Sequence, residues 1–412
     1  MGTVLAVGGI FFPQREALGL DARELTPALA QRIVYAASES RSFSRAAIVL
    51  KQVGGNEVSA KTIERVTLTV GKELANLRDA EPTNTFLGGV VETPPKLAVV
   101  ESDGGRIQTR SEGCAPGVHG QQWRETKNAC LLRMTCQNFD EDPHPELPRA
   151  FCDPEKVAKL AEKEPLSGLA LPQKASSAGP PSDVDWRPKR LMRTCLSSMV
   201  DSHEFGCQME REARRRHFYE APARAFLGDG LAWNWSIQQT HFPDFIPILD
   251  FVHPLGYIYT AASVMTSDPQ QTWACYLAMT RACWQGEVGH VTAALGKWLL
   301  RQGIDAAHPL ADNDPRQAVA DALRYLTNNR ERMDYPRYRR LGLPVTSALM
   351  ESMVKEVNYR VKGTEMFWND PSGAEAILQV RAAALCDDDR LATYLATRPG
   401  CPYIRRPAAT AV

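Results

Sequence analysis

The stretch KLAVVESDGGRIQTR, residues 96–110, decides how this chain is read. Leu97 to Val100 is apolar throughout, the composition of a strand covered on both faces. The run ends on Asp103 followed by Gly104, which predicts a strand stopping there with its carboxylate at a cleft rim. The same shape returns in AFLGDGLAWNW, residues 225–235, where a short apolar run meets Asp229-Gly230. One such pair is by default a capped turn. Two at matching ends of one sheet point to a shared hard-cation site, because Mg²⁺ and Mn²⁺ prefer carboxylate oxygens. Without a cation the two carboxylates would repel and one pKa would rise.

Working outward, residues 13–80 read as helices. LTPALAQRIVYAAS carries apolar residues at helical spacing, with Pro27 suited to a first turn. SFSRAAIVLKQV, a break at Gly54-Gly55-Asn56, and SAKTIERVTLTVGKEL follow, with Ser59 as an N-cap. Two helices around a glycine break suit a helix-turn-helix that offers Lys61, Thr62 and Arg65 to DNA; an ordinary helical hairpin fits the pattern equally well. Beyond Lys96 the candidates are strands in LAVVESD, WRETKNACLLRMTC and KRLMRTCLSSM. Then come a helix in SHEFGCQMEREARRRHF, a strand in RAFLGD, a helix in LAWNWSIQQTHF and a strand in FIPILDFVH. Residues 138–186 are rich in Pro, Ser and Gly and read as a loop insertion. From His253 to about residue 345 the pattern is helical, with Trp273, Trp284 and Trp298 at core-like positions.

The expected fold is therefore α/β, a mixed sheet that starts antiparallel and finishes parallel. Ligands in such sheets collect at the carboxyl ends of strands. The expected division is 1–90 helical and DNA-binding, 91–254 sheet core, 255–345 helical insertion, 346–385 final core helix region and 386–412 tail.

A third carboxylate is sought on the last helix, in SALMESMVKEVNYRVKG. Met350, Met353, Val354, Val357 and Val361 form an apolar stripe, and Glu351 falls at its edge with Lys355, Asn358 and Lys362. A metal ligand beside a phosphate backbone is one reading of Glu351; a surface i,i+4 pair with Lys355 is the other.

Composition sets the outer bounds. The chain has 412 residues, 44% apolar, enough for two or three cores, and its 48 basic and 48 acidic side chains cancel. Basic residues still cluster, at Arg187/Lys189/Arg190/Arg193, at Arg211/Arg214/Arg215/Arg216 and at Arg330/Arg332/Arg337/Arg339/Arg340. Each cluster alone reads as a solvated face, and the three together lean toward phosphate contacts. The ten cysteines include no C-x-x-C pair, so zinc-finger spacing is absent and reduced core thiols are expected. TVLAVGGIFF is too short to span a bilayer and no Lys or Arg precedes it, so no membrane partner is expected. No G-x-G-x-x-G following a strand, G-x-x-x-x-G-K-[ST] or G-x-S-x-G occurs, which argues against nucleotide-cofactor enzymes and serine hydrolases.

In this order the blocks resemble the DDE transposases of bacterial insertion sequences, specifically the ISKra group, across nearly the whole chain. FFPQREALGLDARELTPAL and FSRAAIVLKQVGGNEVSAKTIERVTLTVGKEL look like the family's N-terminal helical region. VVESDGGRIQTR with WRETKNACLL, RAFLGDGLAWNWSIQQTHFPDFIPILDFVH and GLPVTSALMESMVKEVNYRVKGTEMFWNDPSGAEAILQVRA look like its three catalytic blocks. The resemblance implies a ribonuclease H-like (integrase-like) catalytic domain. Asp103, Asp229 and Glu351 would be its catalytic acids, holding Mg²⁺ or Mn²⁺, and the reaction DNA cleavage and strand transfer.

Asp250 and His253 match an accessory Asp-x-x-His element, with Asp250 the rival second acid; Met366 and Trp368 match a Met-x-Trp element with a packing role. DNA contacts are expected from Lys61, Arg65, Lys355 and Lys362. A homo-oligomer is expected when DNA ends are paired, in the cytoplasm at the nucleoid. The other readings are a DNA-binding relic without catalysis, or a ribonuclease H-like nuclease that cuts without joining. Two departures stand out. Relatives carry a Cys-rich segment before the FFPxRExLGL stretch, so a shortened reading frame is expected. Thr346-Ser347-Ala348-Leu349-Met350 stands where relatives have a glycine-serine-glycine run.

Overall fold

The computed structural model describes residues 25–80, 93–110, 123–163, 186–305, 313–363 and 367–398. It adds Leu166, His308, Leu310, Ala311 and the backbone of 4–6 and 9–11. Met366, most of 164–185 and the tail beyond Arg398 lie outside the described residues, as do residues 13–24 of the first helical stretch.

A two-stranded antiparallel ribbon, β1 (Val4–Ala6) and β2 (Gly9–Phe11), comes first. Three helices follow: α1 (Pro27–Glu39), α2 (Phe43–Gly54) and α3 (Ala60–Asp79). The expected cap is in place, the Ser59 hydroxyl accepting from the Thr62 N–H at 3.1 Å. The central sheet comprises β3 (Leu97–Gln108), β4 (Trp123–Met134), β5 (Arg190–Ser198), β6 (Ala223–Gly228) and β7 (Ile246–Leu249). Its spatial order is β5-β4-β3-β6-β7, antiparallel across the first two pairings and parallel across the last two. The fold is thus mixed α/β, with the antiparallel start and parallel finish that the strand pattern predicts.

Two strand ends differ from expectation. Asp103 does not end β3, which runs on to Gln108 opposite Trp123 of β4. Gly105 serves close approach rather than a turn: a Cβ there would lie 2.5 Å from the Thr126 hydroxyl. What stops before Asp103 is the parallel pairing with β6, whose last register pair is Ser102 with Gly228. The FIPILDFVH strand is instead shorter than expected, ending at Leu249, so His253 falls in the first turn of a helix.

Helices α4 (Pro154–Leu160), α5 (Ser202–Arg215) and α6 (Ala232–His241) complete the sheet region. The stretch after β7 is helical as predicted: α7 (Val252–Met265), α8 (Pro269–Trp284), α9 (Val288–Arg301), α10 (Gln317–Asn329) and α11 (Tyr335–Arg340). Trp273 and Trp284 are buried and Trp298 packs against the core from its edge. Then come α12 (Ala348–Val361), α13 (Pro371–Ala384) and α14 (Arg390–Thr397). Among the described residues no helix is long and apolar enough to cross a membrane.

Helix α13 ties the N-terminal helices to the sheet. Glu375 accepts from the Ser198 hydroxyl at 2.7 Å and the Met199 N–H at 2.8 Å, and Gln379 donates to the Ser197 carbonyl at 2.7 Å. On its other side α3 comes so close that a Cβ on Gly71 would lie 2.1 Å from the Ala376 carbonyl oxygen.

Several members of the arginine clusters are spent inside the protein. Arg215 caps α3 by donating to the carbonyls of Leu77 and Ala80, at 3.1 and 2.7 Å. Arg339, fully buried, pairs with Asp142 and stacks on Trp284. Arg193 donates to the Leu385 carbonyl and pairs with Glu356. Arg216 and Arg390 enclose Glu212, at 3.0 and 2.7 Å, and both also bind Asp388. Charge counting sees the cations but not the carboxylates and helix-end carbonyls that meet them. Arg187, Lys189, Arg190, Arg214, Arg330, Arg337 and Arg340 remain exposed, as the solvated-face reading expects.

Burial alone would raise Glu212, and Arg390 and Arg216 more than reverse this, leaving its carboxyl lowered from 4.5 to about 2. Glu212→Gln strands two buried guanidinium groups and should cost about 3–5 kcal/mol, measured by chemical denaturation at neutral pH. The folded pKa lies below the unfolded one, so this contribution is intact above pH 4.5 and fades as pH falls toward 2. The difference between variant and parent should shrink across that interval.

Candidate active site

Parallel registers put paired residues on the same face of a sheet. Ser102 pairs with Gly228 and Gly228 with Leu249. The next residues along, Asp103, Asp229 and Asp250, therefore form a row of three acids just past the end of the parallel pairing. Glu101, two residues before Asp103, shares its face of β3 and is buried. The carboxyl end of the sheet thus carries four acids.

Each is held differently. The Asp229 Oδ1 accepts from the Leu231 N–H at 2.9 Å and from the Asn234 amide at 2.6 Å. The Asn234 carbonyl oxygen in turn accepts from the Ser102 hydroxyl at 2.6 Å, so one side chain of α6 clamps β3 and Asp229 together. The following turn needs its glycine: Gly230 has φ +99°, and a Cβ there would strike the Tyr325 ring at 2.8 Å. Tyr325 also donates to the Asp229 carbonyl at 2.7 Å. Here the Asp-Gly pair does end a strand on a turn, as predicted.

Asp250 is buried. It accepts from the Val252 N–H at 3.0 Å and from the Ser347 hydroxyl, and His253 Nε2 lies 3.6 Å from its Oδ2.

The electrostatics record the crowding. Burial, and next the neighbouring Asp229, raise Asp103 from 3.8 to about 6, with His253 pulling the other way. Burial and then Asp250 push Glu101 from 4.5 to about 8, opposed by the Met350 N–H, and one Glu101 oxygen has no hydrogen-bond partner. Burial also raises Asp250. Carboxyl groups held this far toward their neutral forms fit a position where a hard cation would offset the repulsion.

Glu351 stands apart from this row. It lies in the first turn of α12, its N–H bonded to the Ser347 carbonyl, and it accepts from Lys355 at 3.2 Å in the i,i+4 pair of the second reading. Among the described residues the only three metal-capable side chains with ligand atoms all within 4.8 Å are His203, Cys207 and His241; Asp103, Asp229 and Glu351 do not gather so closely.

Of the residues expected to meet DNA, Lys61 pairs with Glu64 at 2.7 Å, Arg65 and Lys355 are exposed, and Lys362 lies over Trp123 at 5.5 Å. Trp368 has the packing role, its indole donating to the Val361 carbonyl at 3.0 Å.

Neither protein-family models nor curated proteins match this chain. Its chemistry therefore has to be read from the site.

Sequence reasoning passed over Glu101, although period-two alternation back from Asp103 could have found it. It also passed over Asn234 and Ser347, whose roles depend on contacts far along the chain. Beside Asp229 a cleft of about 540 Å³ opens, lined by Gly230, Trp235, Tyr257, Arg324, Asn328 and Arg332 among others. Arg332 stacks over Trp235 at 4.4 Å and Tyr257 stacks on Tyr325 at 4.1 Å, giving the cleft aromatic walls and cationic edges.

Because Asp103 titrates higher folded than unfolded, its penalty is absent below pH 3.8 and complete above about pH 6. Asp103→Asn should therefore melt higher than the parent at neutral pH and match it near pH 3.8. Millimolar Mg²⁺ should narrow the neutral-pH gap by stabilising the parent alone. Thermal melts across that range check both.

Proposed function

We propose that this chain is a DNA transposase of the DDE type, catalysing metal-dependent strand cleavage and strand transfer. The observation that carries the reading is the parallel pairing of β3 with β6, which sets Asp103 beside Asp229. The strand order β5-β4-β3-β6-β7 with its change from antiparallel to parallel supports a ribonuclease H-like catalytic core, and the helices between β7 and α12 suit an insertion in it. Fold alone does not assign function, so the acids carry the argument.

The donor set is all oxygen and fits Mg²⁺ or Mn²⁺. Asp103 and Asp229 would hold the cation, with Asp229 presenting Oδ2 because Oδ1 is engaged by Leu231 and Asn234. When bound, the metal would activate the attacking oxygen and stabilise the leaving one at a phosphodiester. Glu351 would join on exchanging Lys355 for the cation, and Asp250, the buried member of the row, is the rival second acid. His253, partly exposed beside Asp250, would hold or pass a proton at Nε2. The aromatic and cationic cleft next to Asp229 would receive nucleotides on the way to the acids.

Lys61 and Arg65 on α3, the second helix of a helix-turn-helix-like pair, would contact DNA phosphates with Lys355 and Lys362. Lys61 and Lys355 would give up Glu64 and Glu351 to do so. Pairing of two element ends would call for a homo-oligomer.

The Lys355–Glu351 pair favours a second reading, a DNA-binding relic that no longer cuts. A nicking assay separates the two. Purified protein with Mg²⁺ should nick DNA carrying the element ends. Asp103→Asn, Asp229→Asn and Glu351→Gln should each abolish nicking, by at least about a hundredfold, while gel-shift binding persists. Binding without nicking in the parent would favour the relic, and activity retained in one variant would remove that residue from the site.

A further inference from the structure

We propose that His203, Cys207 and His241 form a second metal site, distinct from the carboxylate row, suited to Zn²⁺ or a similar borderline transition-metal ion. Their ligand atoms all lie within 4.8 Å of one another. Two nitrogens and one sulfur are a donor set that such ions prefer over Mg²⁺.

The local construction supports this beyond proximity. His203, Gly206, Cys207 and Glu210 recur at i, i+3, i+4 and i+7, one face of α5. His241, the last residue of α6, lies across that face. Its Nδ1 meets Glu210 Oε2 at 2.6 Å. Its other edge rests on Gly206, where a Cβ would lie 2.6 Å from Cδ2 and 2.7 Å from Nε2. Glycine is thus required for the ring to approach, and the ring points Nε2 toward the turn that carries Cys207 and His203.

Glu210 is fixed by Arg214, which donates to its Oε1 at 2.6 and 3.0 Å. A carboxylate engaged with Nδ1 leaves Nε2 for a metal, the arrangement that orients ligating histidines. Metal binding there would displace the Cys207 thiol proton. His203 is exposed, leaving the fourth position to water.

The site would join α5, which precedes β6, to α6, which follows it and carries Asn234. A metal there would brace the helix that grips Asp229. This inference does not depend on the DNA reading, because it uses none of the four acids.

The test is a Co²⁺ titration of the full chain after chelator treatment, followed by absorbance. The expected result is one equivalent bound, with four-coordinate ligand-field bands and a thiolate-to-cobalt charge-transfer band. Cys207→Ser should lose the charge-transfer band. Glu210→Gln should weaken binding by about 10- to 100-fold. His203→Asn, at an exposed position, should weaken binding while leaving metal-free circular dichroism and Tm unchanged. No four-coordinate spectrum in the parent, or a spectrum unchanged by both Cys207→Ser and His203→Asn, would overturn the proposal.

Discussion

The parallel pairing of β3 with β6 is the constraint on which the rest depends. Its last register pair is Ser102 with Gly228, and the next residue on each strand is an aspartate. Backbone hydrogen bonds thereby force two carboxylates together that would separate if free to do so. The clamp through Ser102, Asn234 and Asp229 fixes the geometry, and the Gly230 turn against Tyr325 brings the helical insertion up to the same edge. A fold that spends several hydrogen bonds holding like charges side by side gives up stability at that spot, as functional sites commonly do.

Much of the fold was legible in the sequence because its signals are local. Pro27 and the Ser59 cap begin helices where expected, and the apolar runs at Leu97, Ala129 and Ala225 are strands. The change from strand to helix after β7 follows the change in hydrophobic period. What could not be read depends on distant partners. Asp103-Gly104 looks like a strand end, yet β4 arrives to extend the ladder past it, and Gly105 makes room for Thr126 rather than a turn. Arg339, Arg216 and Arg215 looked like surface residues because their partners, Asp142, Asp388 and the carbonyls closing α3, lie elsewhere in the chain.

The site was legible in the same uneven way. Asp103 and Asp229 follow the last register pair of two adjacent parallel strands, and Asp250 occupies the same place after the next strand. Glu351 keeps to Lys355, so its partner in the resting structure is the nearest cation on its own helix. Glu101 was invisible to a search for exposed acids because it is buried. Its Met350 contact connects β3 to the helix that carries Glu351, so Glu351 sits one residue from a direct bond to the sheet.

The most direct measurement is a crystal of the full chain soaked in Mn²⁺, with data collected for anomalous scattering. The account predicts a peak shared by the Asp103 and Asp229 carboxylates, lost in an Asp103→Asn crystal. A well-ordered sheet with those two side chains in place and no anomalous density between them would contradict it.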